Sequence, residues 1–418
     1  MRKKDHHLGA IAESLSIQAC FSSTPESNEP SPTFTMSFFT PASPPATSLG
    51  RYRQLAPKAG VHVSPLCLGA MSIGDKWDKI GMGSMDKESS FKLLDAFFEA
   101  GGNFIDTANA YQDETSEEFI GEWMESRNIR DQIVLATKYT TNYKRNDLSI
   151  KNKVSYIGNN LKSMHVSVEA SLKKLRTDYI DILYVHWWDY CTSIEEVMNG
   201  LHNLVAQGKV LYLGVSDTPA WVVAKANTYA KLTGKTPFVI YQGMWNIMYR
   251  DFEREILPMA RDEGMALAPW GVLAAGKIRT DAEENRRRET GENGRMFGMA
   301  DWQRSENERK IVDALEKVAA EVGAKNVTSV AIAYVMQKAP YVFPIIGGRK
   351  VEHLHQNIEA LDVALTTEHI QYLENVFPFD LGFPASRFGN ASDYNFLYKN
   401  AGTFDKWPVQ EVIRPTKD

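Results

Sequence analysis

The chain has 418 residues, of which 43% are hydrophobic and 24% are charged, and its formal net charge is −5. This composition is ordinary for a globular enzyme, and the lack of a long basic run argues against nucleic acid as a partner. No apolar stretch approaches the roughly 20 residues that span a bilayer, so we expect no membrane association. The three cysteines, Cys20, Cys67 and Cys191, show no metal-ligand spacing and are typical of a reducing, cytoplasmic location.

Residues 1–50 differ in composition from the rest of the chain. Ser, Thr and Pro dominate from Ser22 to Ser48, and no helical or strand period is sustained there. Such a segment cannot bury enough apolar surface to offset its ordering entropy. We therefore predict a disordered N-terminal extension over residues 1–50, with Met36 as an alternative translation start.

Strand-like and helix-like patterns alternate from residue 51 to residue 378. Eight strand–helix units predict a (β/α)8 TIM barrel, in which functional residues collect at the carboxyl ends of the strands. The rival fold, a doubly wound sheet, requires a glycine-rich turn after its first strand, and residues 66–74 lack the G-x-G-x-x-G spacing. The predicted strands occupy residues 65–69, 103–106, 133–138, 180–186, 210–215, 238–242, 265–268 and 342–346.

Three further segments complete the predicted architecture. Two short strands at 52–55 and 61–63 form a β-hairpin that could plug the bottom of the barrel. Residues 277–303 are mostly polar and predict a long loop after the seventh strand. The aromatic-rich C-terminal tail, residues 379–418, is expected to fold over the barrel mouth and line a substrate pocket, with packing on the outer helices as an equal alternative.

Four polar residues end or follow three successive predicted strands. Asp106 ends the second strand, Lys138 ends the third, His186 ends the fourth, and Tyr111 follows Asp106 by five positions. An ammonium group stabilises a nearby phenolate and lowers the pKa of the phenol, while a carboxylate holds the ammonium in place. Tyr111 could thus donate a proton to a carbonyl oxygen that His186 hydrogen-bonds. Taken singly, each residue could be structural, but their joint position favours a site.

Two motifs around these residues resemble the signature of the aldo-keto reductase superfamily: residues 104–111 followed by 116–121, and residues 178–186. The resemblance implies a (β/α)8 barrel that binds NADP(H) without a glycine fingerprint. It assigns a catalytic tetrad with Tyr111 as the proton donor and His186 in contact with the substrate. The members of this tetrad are Asp106, Tyr111, Lys138 and His186.

The same resemblance assigns the cofactor contacts in three groups. At one of these positions, Asp217, many relatives have Asn. The nicotinamide end is expected to contact Asp106, Ser216, Asp217, Gln242 and Trp270. The loop over the pyrophosphate corresponds to Gly271, Val272, Leu273, Ala274, Ala275, Gly276 and Lys277. After the eighth strand, glycine amides and a helix N-terminus could hold an anion. This third group comprises Gly347 and Gly348, then Arg349 and Lys350, either of which could pair with a 2′-phosphate. It ends with Gln356 and Asn357, which resemble the adenine-contacting positions of the family.

Segments 186–189, 214–221 and 268–273 resemble fungal aryl-alcohol dehydrogenases and norsolorinic acid reductase-like enzymes. They imply an NADPH-dependent reductase of an aldehyde or ketone, or an enzyme of the reverse alcohol oxidation. The expected substrate is an aromatic, polyketide or terpenoid-type intermediate of fungal secondary metabolism. The alternative is a cofactor-binding accessory subunit that resembles the potassium-channel β-subunits. A metal-dependent hydrolase or lyase is disfavoured, since the sequence shows no rim cluster of His and carboxylates, and no oligomeric state is predicted.

Overall fold

The structure, a computed structural model, describes residues 41–291, 302–389 and 393–415. Residues 1–44 and 45–418 are two separate units, and residues 41–44 of the first are exposed without regular secondary structure. The prediction of a disordered extension therefore falls mostly on residues outside the described ranges. Its predicted end at residue 50 lies too far along the chain, because Leu49 is fully buried and the Thr47 hydroxyl donates to the carbonyl of Ala100 at 2.7 Å.

Within these described ranges, ten strands form a two-stranded hairpin and an eight-stranded parallel sheet. In the sheet each strand from β3 to β8 pairs with the next, and β10 pairs in parallel with β3. A parallel bridge between Leu267 and Val342 joins β9 to the segment entering β10 and closes the ring. The (β/α)8 prediction is confirmed. The strands are β1 (Arg53–Ala56), β2 (Ala59–Val63), β3 (Cys67–Gly69), β4 (Phe104–Asp106), β5 (Val134–Tyr139), β6 (Ile180–Val185), β7 (Val210–Ser216), β8 (Phe238–Met244), β9 (Ala266–Trp270) and β10 (Ile345–Ile346).

Helices connect successive strands and cover the outside of the barrel. None of the described helices combines the length and apolar character needed to cross a bilayer. The helices are α1 (Lys87–Glu99), α2 (Thr115–Arg127), α3 (Leu161–Leu175), α4 (Ile194–Ala206), α5 (Ala220–Leu232), α6 (Ile256–Glu263), α7 (Asp281–Thr290), α8 (Glu306–Val322), α9 (Val327–Lys338), α10 (Val351–Ile358), α11 (Thr367–Asn375), α12 (Ala385–Phe388) and α13 (Phe396–Lys399).

Helix α4 illustrates why these segments are helical. The side chain of Ser193 accepts a hydrogen bond from the backbone N–H of Glu196, which satisfies one of the unpaired donors at the helix start. Val197 and Leu201 lie one turn apart and are fully buried against the strands. Burial of such a side chain stabilises the fold by roughly 1.5–3 kcal/mol.

The segment after β9 differs from the predicted loop over residues 277–303, because it contains helix α7. Thr280 caps the helix by accepting from the N–H of Glu283 at 3.2 Å, and Asp281 adds negative charge to its first turn. The helix is polar on all sides, so it has no apolar stripe that hydrophobic periodicity could detect.

The hairpin plugs the amino end of the barrel, as predicted. Leu55 and Val63 are fully buried and belong to one apolar cluster with the inward-facing residues of the sheet. Phe104 and Phe343 meet edge to face within this cluster, with ring centroids 6.3 Å apart. The apolar filling of the amino end leaves the opposite end of the barrel available for polar residues.

The C-terminal tail runs along the outside of the barrel. The Arg254 guanidinium lies 4.5 Å from the ring centroid of Phe379. Further on, the amide of Gln410 donates to the hydroxyl of Tyr341 at 3.2 Å. Tyr341 precedes β10, so this contact lies at the amino end of the barrel. The end of the tail is therefore away from the mouth, and the expectation that residues 379–418 cover the mouth stays a prediction for their middle part.

Candidate active site

Three of the predicted residues lie at the carboxyl ends of neighbouring parallel strands, which we call the mouth of the barrel. Asp106 is the last residue of β4, Lys138 lies one residue from the end of β5, and His186 directly follows β6. Parallel pairing of β4 with β5 and of β5 with β6 brings these ends side by side. Tyr111 opens a short 3₁₀ turn between β4 and α2. The structure therefore brings all four predicted side chains together.

Lys138 is the centre of this group. Its ammonium donates to Asp106 Oδ2 at 2.6 Å, to the carbonyl of Thr107 at 2.8 Å, and to the hydroxyl of Tyr111 at 3.3 Å. The Lys138 side chain is fully buried. A buried ammonium with three acceptors at these distances has its three donors satisfied, so its position is fixed.

Burial and charge act in opposite directions on these groups. Burial alone would lower the pKa of Lys138, but Asp106 and Tyr111 together outweigh it and the net pKa is raised, so Lys138 stays charged. Burial raises the pKa of Tyr111 above its ordinary value, and the opposing effect of Lys138 is smaller. The expectation that Lys138 makes Tyr111 more acidic is therefore wrong for the net pKa, although the effect of Lys138 has the expected sign. Tyr111 is a protonated phenol at neutral pH.

His186 is neutral at physiological pH. Burial, with a smaller effect from Lys138, lowers the pKa of its imidazole to about 3. Its ring meets that of Tyr111 edge to face, with centroids 5.9 Å apart. Nδ1 of His186 lies 3.2 Å from the hydroxyl of Thr141, and this hydroxyl accepts from the indole N–H of Trp187 at 3.0 Å.

Gln242 holds Asp106 from the side opposite Lys138. Its amide Nε2 donates to Asp106 Oδ1 at 2.9 Å, while Lys138 occupies Oδ2. Gln242 lies on β8 and is 3% exposed, so this bond crosses the interior of the barrel. Sequence reasoning assigned Gln242 to the cofactor alone. Its bond to Asp106 could not be foreseen, because 136 residues separate the two in the chain.

Ser216, Asp217 and Trp270 lie at the ends of β7 and β9. Ser216 is 1% exposed, and its hydroxyl has no hydrogen-bond partner among the residues that the structure describes. Asp217 has a left-handed backbone with φ of 41° and accepts from the indole N–H of Trp270 at 3.2 Å. Its surroundings desolvate the carboxyl and raise its pKa to about 6, while Trp270 and Lys138 oppose this shift.

The predicted pyrophosphate loop, residues 271–277, is a tight turn. Ala274 and Ala275 both have positive φ, and Gly271 and Gly276 provide the left-handed positions around them. The ammonium of Lys277 donates to the carbonyl of Gln303 and contacts Glu308 at 3.2 Å. The Lys277 ammonium is thus already paired with groups of the protein. Only the backbone of Lys277 therefore remains for the predicted contact with the cofactor.

The third predicted group lies between β10 and α10. A Cβ atom on Gly347 would meet nothing within 4 Å, so its backbone faces open space. The Arg349 side chain lies against Gly83, 3.5 Å from where a Cβ would stand there, and forms no ion pair with a described residue. In α10, Asn357 is 4% exposed and borders a small cavity of about 10 Å³, while Gln356 is exposed.

A larger open cavity of about 340 Å³ lies beside the ends of β7 and β8. Sequence reasoning did not predict it. Asp217 is its connection to the mouth. The other lining residues include Tyr190, Thr218, Pro219, Met244 and Asp251. Over residues 41–291, 302–389 and 393–415, no group of three or more His, Cys, Asp or Glu side chains is gathered as metal ligands would be.

The model of the aldo/keto reductase family matches residues 65–377. The chain belongs to the aldo/keto reductase family. The matched range runs from before β3 to beyond α11, and it includes every site residue predicted above.

This aldo/keto reductase is similar to fungal proteins, as the sequence motifs predicted. It is 68% identical over 385 residues to the aryl-alcohol dehydrogenase [NADP(+)] of Phanerodontia chrysosporium, an alignment that covers 91% of this chain and 100% of that protein. A putative aryl-alcohol dehydrogenase of Saccharomyces cerevisiae is 59% identical, with 84% and 93% covered. Norsolorinic acid reductase B of Dothistroma septosporum is 56% identical, with 87% and 94% covered.

One charged cluster of this aldo/keto reductase escaped sequence reasoning. Glu284, which is 1% exposed, accepts hydrogen bonds from Arg279 at 2.8 Å, Arg304 at 2.7 Å and Arg309 at 2.5 Å. In sequence these charges are indistinguishable from those of a solvated polar face. The cluster joins both sides of the segment after β9, which continues the predicted pyrophosphate loop.

Proposed function

We propose that this aldo/keto reductase uses NADPH to reduce an aldehyde or ketone, or catalyses the reverse oxidation of the alcohol. The observation that carries the proposal is the position of Lys138, whose ammonium contacts Asp106 at 2.6 Å and Tyr111 at 3.3 Å at the mouth. The resemblance to fungal aryl-alcohol dehydrogenases and norsolorinic acid reductases supports an aromatic, polyketide or terpenoid-type substrate.

The residues at the mouth fit the cofactor. The unpartnered, buried hydroxyl of Ser216 offers a hydrogen bond to the carboxamide of the nicotinamide, and Asp217 adds an acceptor. Arg349 has no ion pair with a described residue, and Gly347 leaves its backbone open, as an anion-binding turn requires. When bound, NADPH supplies the hydride that adds to the carbonyl carbon.

Tyr111 supplies the proton that completes this reduction. Its raised pKa keeps it protonated at neutral pH, and it donates to the carbonyl oxygen as that oxygen gains negative charge. The phenolate that remains lies beside the ammonium of Lys138, which stabilises it in a water-poor site. Asp106 keeps Lys138 charged and in place. In the reverse direction the same phenolate accepts the proton of the alcohol.

His186 contributes as a neutral hydrogen-bond donor. The Thr141 oxygen accepts from Trp187, and we assign the Thr141 hydroxyl proton to the hydrogen bond with Nδ1 of His186. This assignment of the tautomer places the ring proton on Nε2, from which it can be donated to the carbonyl oxygen. Since the pKa of His186 is about 3, this form persists across the physiological range.

The test replaces Tyr111 by Phe. We expect NADPH oxidation with an aromatic aldehyde to fall by about 10²–10⁴-fold, the range of general acid catalysis. NADPH binding, followed by fluorescence titration, should change little because the ring is kept. Tyr179→Phe is the matched control, since its hydroxyl binds Asp131 at the amino end of β6, and it should retain full activity. Unchanged turnover in Tyr111→Phe would refute the assigned proton donor.

Assays of the wild-type protein distinguish the accessory-subunit alternative from the reductase. Tight NADPH binding without oxidation by any of a panel of aromatic aldehydes, ketones and polyketide-type carbonyls would favour it over the reductase.

A cytoplasmic location also belongs to the proposal, and it is supported by Cys67 and Cys191, which are both free thiols. Imaging of the tagged full chain tests that location.

A further inference from the structure

The backbone that follows Tyr111 is left-handed over three consecutive residues. Gln112, Asp113 and Glu114 have φ values of 52°, 47° and 87°. Side chains other than glycine disfavour this region, because Cβ approaches the following carbonyl oxygen. Such a run persists only where surrounding contacts hold it in place, and it is characteristic of functional sites. Those contacts therefore help determine where Tyr111 lies.

Gln112 makes the most complete set of these contacts. Its side chain is fully buried. Oε1 accepts from the backbone N–H groups of Lys76 and Trp77 at 3.0 and 2.9 Å. Nε2 donates to the carbonyls of Met71 and Gly83 at 2.8 and 2.9 Å. An amide has two donors and two acceptor positions, so its hydrogen-bonding capacity is fully used.

All four partners belong to residues 71–83, the segment between β3 and α1, which we call the first loop. Gly74 in this loop has φ of 121°, and a Cβ there would lie 2.4 Å from the Cβ of Gln112. Only glycine permits this approach. The first loop is therefore wrapped tightly around the Gln112 side chain.

The first loop carries Trp77 to the proton donor. The rings of Trp77 and Tyr111 meet edge to face, with centroids 6.1 Å apart and an interplanar angle of 73°. The indole N–H of Trp77 donates to Asp113 at 3.1 Å. The Tyr111 ring also meets the ring of His186 edge to face. The Tyr111 ring is thus in contact with both Trp77 and His186.

We propose that Gln112 is a positioning residue that fixes the first loop and Trp77 against Tyr111, and so sets the place of the phenol in the mouth. The inference deepens the proposed reductase function and depends on it. Gln112 touches neither the substrate nor the reacting atoms. It acts through the backbone of the first loop, whose position determines the packing of Tyr111 beside Lys138.

Two variants separate the amide from the backbone conformation. Gln112→Met keeps the length of the side chain and removes all four hydrogen bonds. Gln112→Gly also removes them but favours the left-handed backbone. For both we expect kcat for an aromatic aldehyde to fall roughly tenfold or more, because misplacement of a reacting group by about 1 Å can cost 10²-fold. The NADPH dissociation constant should stay within about threefold of wild type, since Gln112 lies outside the predicted cofactor contacts.

The matched control is Gln337→Met. Gln337 is also a buried amide, and it joins α9 to the carbonyl of Val363 and the N–H of Leu365 in the segment before α11. This variant should lose thermal stability while kcat and the pH profile stay unchanged. Equal losses of kcat in the Gln112 and Gln337 variants, or unchanged kcat in a folded Gln112→Met, would overturn the positioning role.

Hydrogen exchange gives a readout that does not depend on turnover. The backbone N–H of Trp77 should exchange at least about tenfold faster in Gln112→Met than in wild type. In Gln337→Met it should exchange no faster than in wild type. Gln112→Gly, which favours the left-handed backbone, should show the same faster exchange and serves if the Met variant does not fold. Unchanged exchange would overturn the inference. An inactive wild-type protein that still shows the exchange difference would refute the reductase function, while the structural role of Gln112 would stand.

Discussion

At the scale of single residues, the site depends on one carboxylate with two different partners. Asp106 binds Lys138 through Oδ2 and Gln242 through Oδ1. The four mouth residues were predictable because each ends or follows an apolar strand run. The net rise in the pKa of Tyr111 was not, since its burial depends on contacts distant in sequence. Gln112 was missed for the same reason: its partners lie 29 to 41 residues away.

Asp217 should make the choice between oxidised and reduced cofactor depend on pH. Its pKa is raised to about 6, so its carboxyl is neutral at pH 5 and ionised at pH 7. An ionised carboxylate attracts the positively charged ring of NADP⁺ and not the neutral ring of NADPH. We expect the affinity for NADP⁺ relative to NADPH to rise several-fold between pH 5 and pH 7, as measured by tryptophan fluorescence.

Asp217→Asn is the comparison for this titration. The variant keeps a side chain of the same shape without the charge, so its NADP⁺-to-NADPH affinity ratio should be flat over the same range. Titration of the phosphate on the cofactor affects both forms and cancels in the ratio. An identical pH dependence in the variant would assign the effect to another group.

At the scale of elements, the segment from β9 to α8 is the part that the sequence predicted least well. Helix α7 has no apolar face, and its Arg and Glu residues are usually exposed in proteins. In the structure they gather around Glu284, which connects α7 to Arg304 before α8 and to Arg309 within it. The strands and the apolar helices were predictable because their pattern records which face is buried.

Glu284→Gln should destabilise the segment from β9 to α8 and lower the free energy of unfolding of the protein. Burial alone would raise the pKa of Glu284, but the surrounding guanidinium groups lower it to about 2. Loss of the charge leaves buried Arg279 without an anionic partner among the described residues and leaves Arg304 with Asp281 alone, at a cost of about 3 kcal/mol in the free energy of unfolding. Chemical denaturation at pH 7 measures this loss. We also expect weaker NADPH binding, because the segment continues the predicted pyrophosphate loop.

The stabilisation of the fold by Glu284 should depend on pH, because only its ionised carboxylate pairs with the guanidinium groups. A carboxyl with a depressed pKa stabilises the fold above its unfolded pKa, here 4.5, and loses that contribution as the pH falls through about 2. The difference in the free energy of unfolding between wild type and Glu284→Gln should therefore become smaller below pH 4.5. Glu306→Gln is the control, because the Glu306 side chain is 82% exposed and its ion pair among the described residues is with Lys310. A loss of similar size in this control would contradict the role of burial.

At the scale of the whole molecule, the order of the elements was predictable almost completely. Eight apolar runs separated by amphipathic segments leave few arrangements other than a closed barrel. The position of the tail was less predictable, because it lacks a period and its partners, such as Arg254 and Tyr341, lie far away in the chain.

Removal of residues 1–35 should leave the barrel intact. The pairing of the sheet begins at Cys67 and the hairpin at Arg53, so the deletion removes none of the described strands. We expect the melting temperature and kcat/KM to match those of the full chain. Thermal denaturation and the NADPH oxidation assay check this. A lowered melting temperature would show that the extension contributes to the fold.

Closure of the ring also has a consequence for the order of folding. The two-residue strand β10 pairs Ile345 with Cys67, which are farther apart along the chain than the partners of any other described strand pair. Contacts between distant residues form slowly, because a long loop must be closed first. During synthesis seven strands are complete before Ile345 is added, and Phe343 joins the plugged interior only then. We therefore expect cofactor-binding competence to appear late in synthesis, once the eighth strand closes the ring.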